Sequence, residues 1–303
     1  MMREGAATWL EGRLVAPTDG AGPLLRGLRY GDGIFATLRI EDGELLDAKR
    51  HAARLTRGAE RLELDPPEGF ETEAAIPDRL AAIASDLSAI AAGPGAVDRL
   101  DGVLRCQWSA AGESRGYGRD RRSVALVEYS LAPAPRNPVL RILPDGAVAP
   151  PAMPGIKSCN ALPHVLAARH ALRLGVDEVV RVHRGRITEG AASNLFFEQD
   201  GRLRTPTDAL PLYPGVVRER VMEAAAALCM EVEEGEWTPG DLLECQGAML
   251  TNSVRGIEVV RRVDDLELGL TPRIRELVSA NHRQADPAGS WTPAPTRRNR
   301  RRP

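Results

Sequence analysis

Apolar and polar residues alternate through Ala36-Thr37-Leu38-Arg39-Ile40 within the β-type run 33–40, the period-two signature of a half-buried strand, and a strand is also predicted over residues 8–15. Glu41-Asp42-Gly43 interrupts the 33–40 run before Glu44-Leu45-Leu46, which predicts a hairpin and a two-stranded ribbon. The period then lengthens. Leu55, Ala59 and Leu62 recur at helical spacing, and residues 77–92 carry a second helical pattern. Strands are predicted over 103–109 and 123–131. Residues 132–137, Ala-Pro-Ala-Pro-Arg-Asn, place alternating prolines in a stretch with no hydrophobic period, the composition of a linker.

After the linker a strand is expected near residues 139–143, then a glycine turn at Gly155-Ile156-Lys157-Ser158. The next segment sets Leu162, Val165, Leu166 and Leu172 on one helical face, interrupted by Arg169, and Gly175 follows as a C-cap. Two strands, 179–182 and 187–197, are predicted to join through Arg184-Gly185, with a further turn at Asp200-Gly201. A helix should begin just after Pro214-Gly215. No repeat of fixed period is present.

The 303 residues, 43% of them hydrophobic, are enough for one large domain or two modest ones. Forty basic and 42 acidic residues leave a formal charge of −2, which directs no interest toward nucleic acid or a membrane surface. Residues 286–303 differ, with five arginines against one aspartate and alternating prolines, and are expected to be a disordered, solvated basic tail. Cys106, Cys159, Cys229 and Cys245 are widely separated, matching neither a metal-ligand pair nor a disulfide framework, so free and buried thiols are expected. With no signal-like start and no apolar stretch approaching the ~20 residues of a membrane span, a cytoplasmic location is expected and no metal site is predicted.

Five features carry candidate chemistry, and each alone has an ordinary alternative. Lys157 stands between a strand and a helix, where a surface lysine is commonplace. Glu189 follows 32 positions later, in Thr188-Glu189-Gly190-Ala191-Ala192-Ser193-Asn194, where a solvated turn acid is the plain reading. Pro214-Gly215-Val216-Val217-Arg218 is a glycine turn into a helix, whose free N–H groups suit a phosphate although most such turns bind nothing. Leu250-Thr251-Asn252-Ser253-Val254-Arg255-Gly256 ends a strand in a polar turn that would add a hydroxyl or amide to the same anion. Arg54 sits in an H-x-x-R-L helix, where a salt-bridged surface arginine is the alternative.

In order and approximate spacing these five pieces resemble the class IV aminotransferases, the pyridoxal-phosphate enzymes of fold type IV, from about Trp9 to Val263. The resemblance implies an α+β, two-domain branched-chain/D-amino acid aminotransferase-like fold. Its parts would be a small N-terminal domain (1–131), the linker (132–137) and a larger cofactor-binding domain (138–285), with pyridoxal 5′-phosphate in the cleft. It makes Lys157 the Schiff-base lysine, Glu189 the partner of the pyridine nitrogen and Arg54 a phosphate ligand. The amides of Val216 and Val217 and the Ser253 hydroxyl would complete the phosphate site, and Ser193 and Asn194 would also contact the cofactor. A carboxylate beside the ring nitrogen makes the ring a stronger electron sink, and a freed lysine amine can move protons at the substrate carbon. Two positions depart from the family: Val217 where many members have threonine, and Ala36 where a glutamate is common.

Gly112 followed by Ser114-Arg115-Gly116-Tyr117, with Thr251-Asn252-Ser253-Val254-Arg255-Gly256 and Gly155-Ile156-Lys157, is closest to the aminodeoxychorismate lyases. That reading implies conversion of 4-amino-4-deoxychorismate to 4-aminobenzoate and pyruvate. Phe35, Thr37, Arg105, Arg115, Tyr117 and Arg255 are the candidate substrate residues, the guanidinium forks matching carboxylates; for the arginines, surface or interface pairing is the alternative. The rival is a class IV aminotransferase for branched-chain or D-amino acids, using the same lysine. A non-catalytic scaffold that kept the fold is the third reading, opposed by the presence of both Lys157 and Glu189. The resemblance also implies a homodimer.

Overall fold

The computed structural model describes residues 7–10, 13–15, 27, 30–92, 101–111 and 121–284. The predicted 112–117 motif, with Arg115 and Tyr117, and the basic tail lie outside them.

The first half is a six-stranded, wholly antiparallel sheet ordered β2-β1-β6-β5-β3-β4. Its strands are β1 (Ala7–Leu10), β2 (Arg13–Val15), β3 (Gly33–Glu41), β4 (Glu44–Leu45), β5 (Gly102–Ala110) and β6 (Ser123–Leu131); helices α1 (Ala48–Leu62) and α2 (Ile76–Ala92) lie between β4 and β5 in sequence. Strand alternation decides what the sheet does. Ile34, Ala36, Leu38 and Ile40 of β3 and Leu104, Cys106 and Trp108 of β5 are buried in one core with Leu55 and Ala59 of α1 and Leu80 and Leu87 of α2. Because successive side chains point to opposite faces, Phe35, Thr37, Arg105 and Gln107 stand on the other face. The register sets Phe35 opposite Gln107 and Thr37 opposite Arg105.

Beyond residues 132–137 come β7 (Val139–Ile142), α3 (Leu162–Leu174), β8 (Glu178–Val180), β9 (Val182–His183), β10 (Arg186–Ile187), β11 (Asn194–Gln199), β12 (Arg202–Pro206), α4 (Val216–Ala227), β13 (Val232–Gly235), α5 (Pro239–Leu243), β14 (Gly247–Asn252), β15 (Gly256–Val259), β16 (Arg262–Val263), β17 (Leu266–Glu267) and α6 (Pro272–Gln284). They build a five-stranded sheet, β13-β12-β11-β14-β15, a four-stranded sheet, β17-β16-β7-β8, and the β9-β10 hairpin. Strands β7 and β8 are parallel, joined by the α3 crossover such pairs need.

Three expectations are corrected. The strand over 8–15 is two strands, β1 and β2, paired with each other. The ribbon at residues 33–46 is only the edge of the six-stranded sheet, with β4 two residues long. The strand over 187–197 is broken: Thr188 and Glu189 still pair with Arg181, but residues 190–193 turn, the buried Glu178 carboxylate taking the Ala191 N–H at 2.9 Å and the Ser193 hydroxyl at 3.3 Å. Of the thiols, Cys106 and Cys245 are buried, Cys159 is partly so, and Cys229 is exposed. Among the described residues no helix is long and apolar enough to cross a membrane.

Helix α3 ends at Gly175 in the left-handed conformation as its sequence predicts, φ 65°. Its apolar stripe nevertheless faces outward: Leu162 is 62% exposed and Leu172 80%, while the buried positions are Ala167 and Ala171. The alanines, lacking bulk, face the sheet and leave the leucines uncovered.

One close approach holds the first sheet to the segment that carries Lys157. The Lys157 carbonyl accepts the Phe35 N–H at 2.9 Å and the Cys159 N–H reaches the Gly33 carbonyl at 2.8 Å, so residues 157–159 add to the free side of β3. A Cβ on Gly33 would lie 2.5 Å from the Trp108 carbonyl oxygen, backbone that cannot rotate aside. Gly33→Ala is therefore expected to destabilise the protein by about 1–3 kcal/mol, read from urea unfolding; unchanged stability would contradict the tight packing of β3 on β5.

Candidate functional site

The residues singled out in the sequence converge on a cavity of about 400 Å³ between the free face of the first sheet and the loops of the second half. From the sheet come Phe35, Thr37 and Arg105; from α1, His51 and Arg54. The clipped turn supplies Lys157, Glu189 and Ser193 come from the break between β10 and β11, and Asn194 opens β11. Val216 opens α4, and Ser253 and Arg255 sit in the turn between β14 and β15. Val217 does not line it: its side chain is core, packed with Phe196 and Met249, so only its backbone amide, in the first turn of α4 where no intrahelical acceptor exists, faces an incoming group.

Lys157 projects its amine between two aromatic faces, 4.7 Å from the Phe35 ring centroid and 4.8 Å from that of Tyr213. Burial pulls its pKa down to about 8; Glu189 works against that fall, and Arg105 and Arg54 add to it. An appreciable fraction of the amine is thus neutral at physiological pH, and more than half of it above pH 8, as a nucleophile or base requires.

Glu189 is buried. Its Oε2 accepts the Tyr213 N–H at 3.0 Å, while Oε1 has no hydrogen-bond partner and lies 3.5 Å from the Arg181 guanidinium. Burial raises its pKa to about 7, opposed first by Arg181 and then by the Tyr213 amide. Thr251, also on the cavity wall, has a buried hydroxyl with no partner. Orphaned buried polar atoms are scarce in native proteins, and these two belong to residues of one cavity.

Arg54 donates to the Tyr213 hydroxyl at 2.8 Å and to Glu219 at 2.6 Å, which poises its charge at the first turn of α4. Asn194 fixes that turn: its amide group donates to the Tyr213 carbonyl and accepts the Gly215 N–H, both at 2.8 Å, so it is a staple of the helix start. His51, one turn before Arg54, contacts the Ser253 hydroxyl at 3.4 Å, and burial holds its pKa near 3, hence neutral.

The arginines divide into two kinds. Arg136 donates to Glu258 at 2.8 Å, and Arg255 lies 3.7 Å from the same carboxylate and donates to the Ala134 carbonyl. Arg105 contacts Gln107 at 3.2 Å and stacks on Phe35, its guanidinium carbon 3.8 Å from the ring centroid. Among the described residues no carboxylate lies within ion-pair distance of it.

Sequence reasoning did not single out Tyr213, His51, His164, Arg136 or Arg181. Two had a signal: Tyr213 immediately precedes the glycine turn, and Arg181 interrupts the apolar run Val179-Val180-Arg181-Val182, where a charge demands a buried partner. Arg136 sits in a stretch that reads as linker and gave none.

Residues 33–263 match the family model described as amino-transferase class IV. The chain is 25% identical over 249 residues to a D-alanine aminotransferase of Listeria innocua, covering 80% of this chain and 82% of that one. It is 25% identical over 260 residues to a bifunctional aminodeoxychorismate lyase / D-amino acid transaminase of Mycobacterium tuberculosis, covering 80% and 85%. Among solved structures it is similar to a branched-chain aminotransferase from Thermoproteus uzoniensis, with a TM-score of 0.79 at 22% identity over 92% of this chain and 94% of that one.

In the apoprotein, labelling of Lys157 by an amine-directed reagent, mapped by peptide mass, should rise with a midpoint near pH 8. Glu189→Gln removes the carboxylate that supports the ammonium, so its midpoint should fall below the wild-type value. A midpoint near 10.5, the ordinary lysine value, would contradict the burial of the amine.

Proposed function

The chain belongs to the class IV aminotransferases, pyridoxal-phosphate enzymes, and on that premise we propose that it transfers the amino group of a monocarboxylic amino acid, branched-chain or D-configured, to a 2-oxo acid. The observation that carries this reading is Arg105: among the described residues it alone of the arginines on the cavity wall has no carboxylate within ion-pair distance, feeling only Glu128 of β6 from further off, whereas Arg54 is held by Glu219 and Arg136 and Arg255 share Glu258. One desolvated guanidinium with no direct ion-pair partner fits one substrate carboxylate.

The residues present fit the cofactor. The orphaned Glu189 Oε1 suits a ring N–H, and the amides of Val216 and Val217, with Arg54, Ser253 and the unpartnered Thr251 hydroxyl, suit a phosphate at a helix N-terminus. When bound, the cofactor supplies a reactive carbonyl and an electron sink for the bond being broken. Lys157 holds it and, with an amine poised near pH 8, takes and returns the proton at the substrate α-carbon. Arg105 orients the carboxylate, and the Phe35 and Tyr213 rings wall the amine from water.

One observation favours aminodeoxychorismate lyase activity as the second reading: the Thr251–Arg255 turn, with its lyase-like sequence, lines the same cavity. There Arg255 must leave Glu258 to take a second carboxylate. A homodimer is part of the proposal, supported by the uncovered stripe of Leu162, Val165, Leu166 and Leu172 on α3, which a second copy would bury.

Purified enzyme offered D-, L- and branched-chain amino acids with 2-oxoglutarate should release the matching oxo acid. Lys157→Ala should cost about 10²–10⁴-fold in rate, and Arg105→Gln about 10- to 100-fold in kcat/KM, the worth of a charge-assisted hydrogen bond. Equimolar 4-aminobenzoate and pyruvate from 4-amino-4-deoxychorismate, without amino transfer, would replace the first reading with the second. Leu172→Glu, at a position 80% exposed in the single chain, should halve the mass seen by light scattering without unfolding the subunit; an unchanged mass would place any dimer contact elsewhere.

A further inference from the structure

Arg181 is a buried charge in an apolar setting, 3% exposed, between Val180 and Val182. Two backbone bonds fix it against Glu189: the Arg181 N–H donates to the Glu189 carbonyl and the Thr188 N–H to the Arg181 carbonyl, both at 2.9 Å. The guanidinium reaches Glu189 Oε1 at 3.5 Å on one side and His164 Nδ1 at 3.2 Å on the other. His164 and Glu189 line the cavity and Arg181 does not, so the arginine stands behind the carboxylate, on the side away from any bound group.

Replacing a buried ion pair by apolar residues of similar volume is commonly neutral or stabilising, so stability alone gives weak reason for an arginine here. His164 adds no competing charge: burial holds the imidazole near pKa 4, hence neutral, with Nδ1 3.2 Å from the guanidinium and 3.1 Å from the Ala191 carbonyl. The other charges facing Glu189 are Lys157 from the clipped turn and Glu178 from β8, of opposite sign. Glu178 is itself satisfied by the Val179 and Ala191 amides and the Ser193 hydroxyl.

We propose that Arg181 is a positioning residue that keeps Glu189 ionised, so that the proton shared between this carboxylate and the cofactor's ring nitrogen stays on the ring. The inference rests on the cofactor site assigned above. A fixed positive charge behind Glu189 lowers the proton affinity of the near carboxylate more than that of a nitrogen approaching from the cavity, because Coulomb energy falls with distance. The electron-withdrawing form of the ring is thereby set by a residue that touches neither cofactor nor substrate.

The test uses holoenzyme loaded with pyridoxal phosphate carrying ¹⁵N in the ring, observed by NMR between pH 6 and 9 for wild type, Arg181→Met and Arg181→Lys. Wild type should hold the ring-nitrogen resonance at the protonated position across this range. Arg181→Met should shift it toward the unprotonated position, and Arg181→Lys, whose ammonium replaces the charge but not the fork, should lie between. A methionine variant that keeps the wild-type resonance and pH profile while losing only thermal stability would overturn the proposal and leave Arg181 structural. Should Arg181→Met not fold, Arg181→Gln, polar but uncharged, decides, an unshifted resonance overturning the proposal. Wild type that takes up no cofactor would instead overturn the site assignment itself, separating that failure from failure at Arg181.

Discussion

The two backbone hydrogen bonds that tie residues 157–159 to the free side of β3 are the constraint on which the site depends. They do not involve side chains, so Lys157 keeps its placement whatever the lysine is doing chemically. They also fix its neighbours: clipping residues 157–159 at Gly33 and Phe35 sets the Phe35 ring against the Lys157 amine, and the β3-β5 register then delivers Arg105 beside Phe35. A glycine is needed at Gly33 because the Trp108 carbonyl leaves no room for a side chain.

Around that clip the protein concentrates charge in a dry place. Lys157, Glu189, Arg181, Arg54 and Arg105 all shape one electrostatic environment, and burial is the first cause of the shifts at both Lys157 and Glu189. Burial drives both toward neutrality, the lysine down and the glutamate up, while their attraction restrains each. Pairing is then distributed unevenly. Arg54, Arg136 and Arg255 have carboxylate partners within the chain; Arg105 has Gln107 and an aromatic face. Family membership alone does not choose among transaminases and lyases, and this uneven compensation is where the structure bears on the choice.

Much of the fold is legible in local pattern. Alternation in residues 36–40 gives β3, helical spacing gives α1 and α2, and Gly175 ends α3 because it adopts a left-handed conformation that a side chain would strain. Errors came where a distant group overrode local preference. After Thr188 and Glu189 pair with Arg181, residues 190–193 turn away, the Ala191 N–H and the Ser193 hydroxyl going to Glu178, and this break lies beside Glu189 at the cavity. Helical spacing puts Leu162, Val165, Leu166 and Leu172 on one face of α3, yet periodicity does not say whether the same chain covers it.

The sequence by itself determined most of the elements, because short-range periodicity and turn chemistry are written in adjacent residues, while the α+β class and the candidate roles of Lys157, Glu189 and the helix-start turn came from resemblance to the family. Only tertiary structure decided which charges are compensated. Arg181 meets Glu189, Arg136 leaves an apparent linker for Glu258, and Tyr213 gathers Arg54, Glu189 and Lys157 around one residue. Arg136 meets a partner 122 positions away and Tyr213 one 159 positions away, and pairing in a low-dielectric interior depends on distance in space, which local sequence does not encode.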